Sequence, residues 1–467
     1  MHRASDQILT VAQMRAAEAA LIATGTSVDA LMQIAGRGAA EWVWRMSGGR
    51  SVTVLCGPGN NGGDGWVIAE AIRERGGEVA VIAAVEPATA AAKNARALFK
   101  GEVLDPAADR HGEVLVDCLF GSGLTRPLSS EHATLLARLA ASHDQRVAID
   151  LPSGIDSDLG LALNRDLPAY ELTVALGAWK FAHFLMPAAA QLGALRLVEI
   201  GIAPVAGAAE AIAQPRCAVP GAAAHKYIRG LLAVVAGAMP GAALLACQAA
   251  TGAGAGYVKL FAEQPPAGAP TDLVVEAGLL SQVLTDCRNR AILVGPGLGR
   301  DGHARARLAI AMADQVAAVL DADALVLLAP PMLAERSAPL IATPHGGELL
   351  ALERAFNLDG AGSKVERAAA LARASGMTVV AKGADTVVAA PDGRLALAPR
   401  APSWLSTAGT GDVLAGVIAS RLAAGVEPFE AACQGVWLHG EAARQCGAAF
   451  TAGELAGAIP AAYAACL

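Results

Sequence analysis

The chemistry-bearing residues of this chain gather in short glycine-rich turns. Gly57-Pro58-Gly59-Asn60-Asn61-Gly62-Gly63-Asp64-Gly65 lies between a β-branched run and a helical stretch. Gly57, Gly59 and Gly62 satisfy G-x-G-x-x-G, and Glu86 ends the next expected strand, which on pattern alone is a dinucleotide fingerprint. Asp64 argues against that reading, because it sets a carboxylate where a pyrophosphate would sit. Two further polar turns follow, Val116 to Leu124 around Asp117 and Ala148 to Asp156 around Asp150 and Ser153. Each aspartate alone could be a helix N-cap. Three of them, each beside a glycine-rich turn at a strand end, point to one crevice shared with Asn61 and Ser153. Carboxylates so gathered repel one another unless a cation binds or one is protonated. Amide, hydroxyl and carboxylate oxygens without Cys or His suit a hard or alkali cation.

The second half offers a different device. No G-x-x-x-x-G-K-[ST] occurs, which disfavours a P-loop nucleotidase. Ala408-Gly409-Thr410-Gly411-Asp412 instead opens an apolar helix, where free backbone N–H groups and the helix dipole favour an anion. The same field is expected to hold Asp412 ionised, ready to take a proton from an attacking hydroxyl. Gly295 to Gly299, Asp321 and Asp323, His345 and Lys382 stand at other expected strand ends. His345 alone reads equally as a satisfied structural histidine, and Lys382 alone as a solvated charge.

The elements that must position these residues alternate strand and helix, the signature of a mostly parallel sheet covered on both faces. Strands are expected at Ser51–Cys56, Val79–Val85, Val114–Cys118, Val147–Asp150, Leu172–Leu176 and Leu195–Ile200, with helices at Trp66–Arg75 and Glu131–Ala141. After a Pro- and Ala-rich linker the alternation restarts, with strands at Leu231–Ala236, Tyr257–Leu260, Ala291–Val294, Ala317–Leu320, Met377–Ala381 and Thr386–Ala390. Helices follow at Asp412–Ala424 and Phe429–Gln445. This predicts two α/β domains, residues 1–205 and 224–467, joined by linker 206–223; the first is a Rossmann-like doubly wound sheet.

Composition sets the outer bounds. With 467 residues, 54% hydrophobic and 17% charged, the chain is too apolar to be disordered. A net charge of -7 argues against a nucleic-acid partner. Eight scattered cysteines without C-x-x-C, and an N-terminus without an apolar signal core, predict a cytoplasmic protein with reduced thiols. The run between Arg229 and Lys259 holds no charge and exceeds the ~20 residues of a spanning helix. Pro240 and its glycines break it into strand, turn and helix, so no membrane span is expected.

GPGNNGGDG, DCLFGSGL, IDLPSGIDSDLG and TVALGAWKFAHFLMP resemble the YjeF N-terminal family, the NAD(P)H-hydrate epimerases, over residues 1–203. The resemblance implies that Asn60, Asn61, Gly62, Gly63 and Asp64 line a site for hydrated nicotinamide nucleotide. Gly121, Ser122, Gly123, Leu124, Thr125, Arg126 and Pro127 would line it too. It implies that Asp150 contacts the ligand and transfers the proton, while Asn61, Asp117 and Ser153 ligate K+. Trp179-Lys180-Phe181 departs from the pattern, which has a Pro nearby.

From His225 to Leu467, MPGAALL, GPGLG, LDADAL, TPHGGE, KGADT and GTGDVLAG resemble the ribokinase-like α/β superfamily, in its ADP/ATP-dependent NAD(P)H-hydrate dehydratase branch. That resemblance implies S-form hydrate contacts from Ala242, Gly297, His345 and Asp412. Lys382, Gly383, Ala384, Asp385, Thr386 and Gly411 would hold ADP or ATP, with Mg2+. Tyr227, after His225-Lys226, and Ala408 are departures. The combined expectation is an enzyme, isomerase and lyase in one chain, that epimerises the R and S hydrates and dehydrates the S form, as a homo-oligomer. The rival readings are an NAD-dependent oxidoreductase, and a small-molecule kinase fused to a binding domain.

Overall fold

A computed structural model describes residues 4–284 and 286–467. The chain divides into two compact units, Met1–Ala211 and Ile212–Leu467.

Ten strands belong to the first unit: β1 (Gln7–Leu9), β2 (Val52–Cys56), β3 (Val79–Ala83), β4 (Glu102–Leu104), β5 (Gly112–Cys118), β6 (His143–Ile149), β7 (Leu172–Leu176), β8 (Trp179–Lys180), β9 (Ala194–Val198) and β10 (Ala209–Ala211). Seven of them form one parallel sheet in the order β4-β3-β2-β5-β6-β7-β9. The order reverses between β2 and β5, whose last residues, Cys56 and Cys118, are in register. The chains leaving these two strands therefore diverge and open a crevice at the sheet's carboxyl edge. Alternate residues of β2 feed opposite cores: Val52, Val54 and Cys56 pack with Trp66 and Ile68, while Leu55 packs with Leu135, Leu136 and Leu139. Separately, β1 pairs in parallel with β8 and antiparallel with β10.

In the second unit, β11 (Leu231–Val235), β12 (Tyr257–Phe261), β13 (Val274–Glu276), β14 (Asn289–Val294), β15 (Ala317–Leu320), β16 (Leu340–Ala342), β17 (Thr378–Ala381), β18 (Val387–Ala389) and β19 (Leu395–Leu397) run in the order β13-β12-β11-β14-β15-β16-β17-β18-β19. Pairing is parallel as far as β17, then antiparallel through β18 and β19. Helices Pro240–Gly252 and Thr410–Ala423 pack backbone to backbone, since a Cβ on Gly416 would lie 2.2 Å from the Ala246 carbonyl oxygen. The small, uncharged residues of the run between Arg229 and Lys259 are what permits this approach. Among the described residues no single helix is long and apolar enough to cross a membrane.

The structure moves several expected boundaries. The stretch expected as a linker, 206–223, contains β10, and the two units divide between Ala211 and Ile212. Ile212 and Cys217 are buried. The helix expected from Trp66 begins at Asn60, so the Asn-Asn-Gly-Gly-Asp segment is its first turns, not a loop. Glycine is a poor helix former; close packing compensates, because a Cβ on Gly62 would lie 1.9 Å from the Gly57 oxygen.

Candidate active sites

A cavity of about 840 Å³ opens at the carboxyl edge of the first sheet, beside the β2/β5 reversal. Asn60, Asn61 and Asp64 line it, as do residues 121–127 and Asp150. Gly62 and Gly63, expected there, instead face the packed side: a Cβ on Gly63 would meet Met32 at 2.4 Å. Glu86 is exposed beyond the end of β3. None of the three aspartates caps a helix: Asp64 lies within Asn60–Glu74, Asp117 within β5, and Asp150 just after β6. The N-cap there is Gly59, which makes no side-chain hydrogen bond, so the first-turn N–H groups stay available to an anion.

Asp150 is the centre of this site. Its backbone holds a left-handed φ of 66°, rare for a residue with a Cβ. Neighbours hold it there: His183 donates from Nε2 to the Asp150 carbonyl oxygen at 2.8 Å, and accepts at Nδ1 from Lys180 N at 2.9 Å. Lys180 Nζ donates to Asp150 Oδ1 at 2.5 Å and to the Leu176 oxygen at 2.6 Å; Ser122 N donates to Oδ2 at 2.8 Å. Burial alone would raise the Asp150 carboxyl, but the Lys180 ammonium and these hydrogen bonds outweigh it and hold the group at about 2. Burial and the same ammonium push His183 down to about 4, so its ring is neutral.

Asp64 is the counterpart. Burial first, then the charges of Asp150 and Glu18, push its carboxyl well above the usual range, against the pull of Lys180. One cavity thus holds two carboxyls that their surroundings push apart, Asp64 upward and Asp150 downward, the separation that assigns acid and base. Gly121 stands where neither Asp150 nor Asn61 leaves room for a side chain, since its Cβ would lie 2.8 Å from Asp150 Oδ2 and 3.1 Å from Asn61 Cγ.

Asp117 and Ser153 do not line the cavity; they build the loop that does. Asp117 Oδ1 accepts from Leu119 N (3.1 Å) and Ser153 Oγ (2.7 Å), and Oδ2 from Ser153 N (3.0 Å) and Tyr170 OH (2.6 Å). Phe120 N in turn donates to Ser153 Oγ at 2.9 Å. Burial raises Asp117 in spite of these four bonds. Asn61 differs: both side-chain polar atoms are buried and unpartnered. A buried amide oxygen without a donor is a vacant ligand of the type an alkali cation takes.

In the second unit, Gly295, Asp321, Thr343 and Lys382 follow the carboxyl ends of β14, β15, β16 and β17, adjacent parallel strands. Lys382 Nζ donates to Asp321 Oδ1 at 2.6 Å, and Thr343 Oγ1 to the same oxygen at 2.6 Å. Lys382 also approaches the glycine turn: a Cβ on Gly411 would lie 3.4 Å from Nζ. Helix Thr410–Ala423 starts there behind N-cap Gly409, at φ 90° and without a side-chain cap. Asp412 lies in its first turn, where its surroundings raise the carboxyl rather than lower it. Burial first, then Asp321, push it up to about 6; Lys382 pulls down, and Asp323 and Glu348 add to the rise. Gly297, at φ 62°, brings its loop onto the start of helix Pro240–Gly252, where Met239 N donates to its oxygen at 2.9 Å and Ala242 lies in the first turn.

His345 takes the structural role that its sequence left open. It N-caps helix Gly346–Ala355, Nδ1 accepting from Gly347 N at 3.0 Å, with its ring largely exposed. Within 382–386, Asp385 turns to Lys364 Nζ at 2.7 Å, and Thr386 Oγ1 closes the turn onto the Gly383 oxygen at 3.0 Å. Sequence reasoning missed Lys180 as the partner of Asp150, Lys364 as that of Asp385, and Arg15 and Glu18, which line the first cavity. Helical spacing of Val11, Met14, Arg15 and Glu18 was the available signal for the last two.

Comparison with known proteins matches the two halves of the chain to two different families. Residues 28–182 match the YjeF-related protein N-terminus, and residues 232–462 the NAD(P)H-hydrate dehydratase family. The bifunctional NAD(P)H-hydrate repair enzyme of Mycobacterium leprae is 34% identical over 459 residues, spanning 93% of this chain and 93% of its own. That of Gloeobacter violaceus is 34% identical over 475 residues, spanning 93% and 92%. Among solved structures, the ADP/ATP-dependent NAD(P)H-hydrate dehydratase from Bacillus subtilis, co-crystallized with ATP/Mg2+, is 27% identical with a TM-score of 0.48, covering 54% of this chain and 95% of its own. Both domains, in one order and over nearly the whole length, are shared with the two-domain relatives, and the chain belongs to the family of bifunctional NAD(P)H-hydrate repair enzymes.

Proposed function

We propose that unit Met1–Ala211 interconverts the R and S hydroxyl epimers at C6 of hydrated reduced nicotinamide nucleotides, and that unit Ile212–Leu467 dehydrates the S form. The observation that carries the first half is one cavity in which the Asp64 carboxyl is pushed up while Asp150 is held down. Epimerisation proceeds by opening the C6–N1 bond and closing it on the other face. The C6 hydroxyl loses its proton as the carbonyl forms; the ring electrons leaving with N1 are met by a proton, and closure reverses both transfers. Asp150 is the acceptor and Asp64 the donor, a division of labour set by their environments. Asn60, the first-turn N–H groups and residues 121–127 hold the nucleotide. Asn61, with Asp117 and Ser153 behind the loop, would hold K+, which would supply a positive charge next to the carboxylate cluster.

In the second unit Asp412 takes the C6 hydroxyl proton as that oxygen attacks the terminal phosphorus of ADP or ATP. The C6–O–P ester forms and AMP or ADP leaves with the electrons of the broken P–O bond. Phosphate then departs from C6 with its bonding pair, loss of a C5 proton restores the C5–C6 double bond, and water is removed overall. Lys382 and the Gly411 N–H stand where charge builds on the transferring group; Gly383 to Thr386 shape the nucleotide turn, and Mg2+ enters with the nucleotide phosphates. Ala242, Gly297 and His345 border the hydrate. The test of the first half is purified R epimer without nucleotide. The chain should speed its approach to the R/S equilibrium, and Asp150→Ala should reduce that rate to the spontaneous one; an unaltered rate in the variant contradicts the assignment.

A further inference from the structure

Helix Val11–Ala23 presents one face to the first cavity: Val11, Met14, Arg15 and Glu18 all line it. Its position is fixed at both its capping box, Thr10 with Gln13, and at Val11 N, which donates to Asp158 Oδ1 at 2.9 Å. Immediately before it, β1 pairs Leu9 with Lys180, so the strand delivering the helix is in register with the residue that fixes Asp150. The lysine and arginine side chains lining the cavity are Arg15, Arg126 and Lys180. Lys180 is committed to Asp150 and the Leu176 oxygen. Arg15 is exposed, and among the described residues it makes no hydrogen bond or ion pair; Glu18, one turn on, feels its charge. A Cβ on Gly123 would lie 3.7 Å from Arg15 Nη2, so the guanidinium rests over the 121–127 loop. The same cavity carries the uncapped first turn at Gly59 and Asn60. An anionic ligand entering beside Asp64, Asp150 and Glu18 needs a cation that those carboxylates have not taken.

We propose that Arg15 is the phosphate-recognition residue of the first cavity, its guanidinium taking the diphosphate of the hydrated dinucleotide over Gly123 while the nicotinamide end reaches Asp64 and Asp150. The assignment rests on the epimerase reading of this cavity. Its test compares the full-length chain with Arg15→Ala and Arg15→Lys on two substrates, the hydrated dinucleotide and the phosphate-free hydrated nicotinamide riboside, without ADP or ATP. Arg15→Ala should raise KM for the dinucleotide roughly 10- to 100-fold with kcat little changed, Arg15→Lys should recover part of it, and neither should alter turnover of the riboside. Equal loss on both substrates, or none on the dinucleotide, overturns the proposal. If the riboside turns over too slowly, competition by inorganic pyrophosphate replaces it. Weaker inhibition of Arg15→Ala than of the parent supports the assignment, whereas equal inhibition of the two, or none of the parent, contradicts it. A parent chain that epimerises neither substrate refutes the epimerase reading itself, a separate outcome.

Discussion

Each unit sets a lysine beside an aspartate at the carboxyl edge of a parallel sheet, but the two lysines act on different carboxyls. In the first unit the almost fully buried Lys180 bonds Asp150, the proposed proton acceptor, directly and holds it at about 2. In the second, Lys382 bonds Asp321, and Asp412 is left to rise to about 6. The difference follows from what each carboxyl must do. In the proposed epimerisation Asp150 and Asp64 divide acceptor from donor within one cavity, a division that needs their pKa values pushed apart. In the proposed dehydration Asp412 takes a proton from a hydroxyl, and a base is most effective when its pKa lies near the working pH. The partner of the lysine, more than the presence of a carboxylate, decides the chemistry.

The contrast can be broken from either side, and the largest effect is expected at Asp412. Asp412→Ala should lower dehydration roughly 10²- to 10⁴-fold while epimerisation of the R form is kept, measured by following each reaction separately. Lys180→Met comes next. Removing the ammonium leaves Asp150 buried without its counter-charge, at a cost of about 3 kcal/mol to the first unit, read by denaturant unfolding, together with loss of epimerisation. Gly121→Ala should lower epimerisation about tenfold with little change in unfolding, because its Cβ would meet Asp150 Oδ2 at 2.8 Å, inside the cavity rather than the core.

The pH profiles sharpen the same comparison with smaller effects. Dehydration requires ionised Asp412, so its kcat/KM should fall below pH about 6, and Lys382→Met should move that midpoint upward, because the ammonium lowers the carboxyl. Asp150 has a folded pKa below its ordinary 3.8, so the stability it contributes is present above that value and lost as pH falls through about 2. That contribution is roughly 2 kcal/mol. An acid-unfolding midpoint unchanged in Asp150→Asn would contradict it.

Much of this was legible in the sequence where a pattern is long enough to repeat. β7 and β15 fall on their expected bounds, and the glycine turns at 57–65, 121–127 and 408–412 stand at the carboxyl edges expected of them. Pieces of two or three residues carry no period, so β1, β8 and β10 were invisible, and with them the register that places helix Val11–Ala23 beside Lys180. The Asp150–Lys180 pair joins residues 30 apart through that small sheet, which no local spacing announces. The upward shift of Asp412 was hidden for a different reason: its place at a helix N-terminus is readable from sequence, while the burial and neighbouring carboxylates that raise it are not. Glycines 62 and 63 also serve close packing, a role visible only once Gly57 and Met32 lie against them.

The central claim is that one chain carries both halves of the repair, and an equilibrated R/S mixture of the hydrated nucleotide tests it most directly. Recovery of reduced-nicotinamide absorbance should reach completion with ADP or ATP, fall to the S fraction followed by a slow spontaneous phase in Asp150→Ala, and be absent without nucleotide. Recovery that stops at the S fraction in the unaltered chain, or that proceeds without nucleotide, would contradict the account.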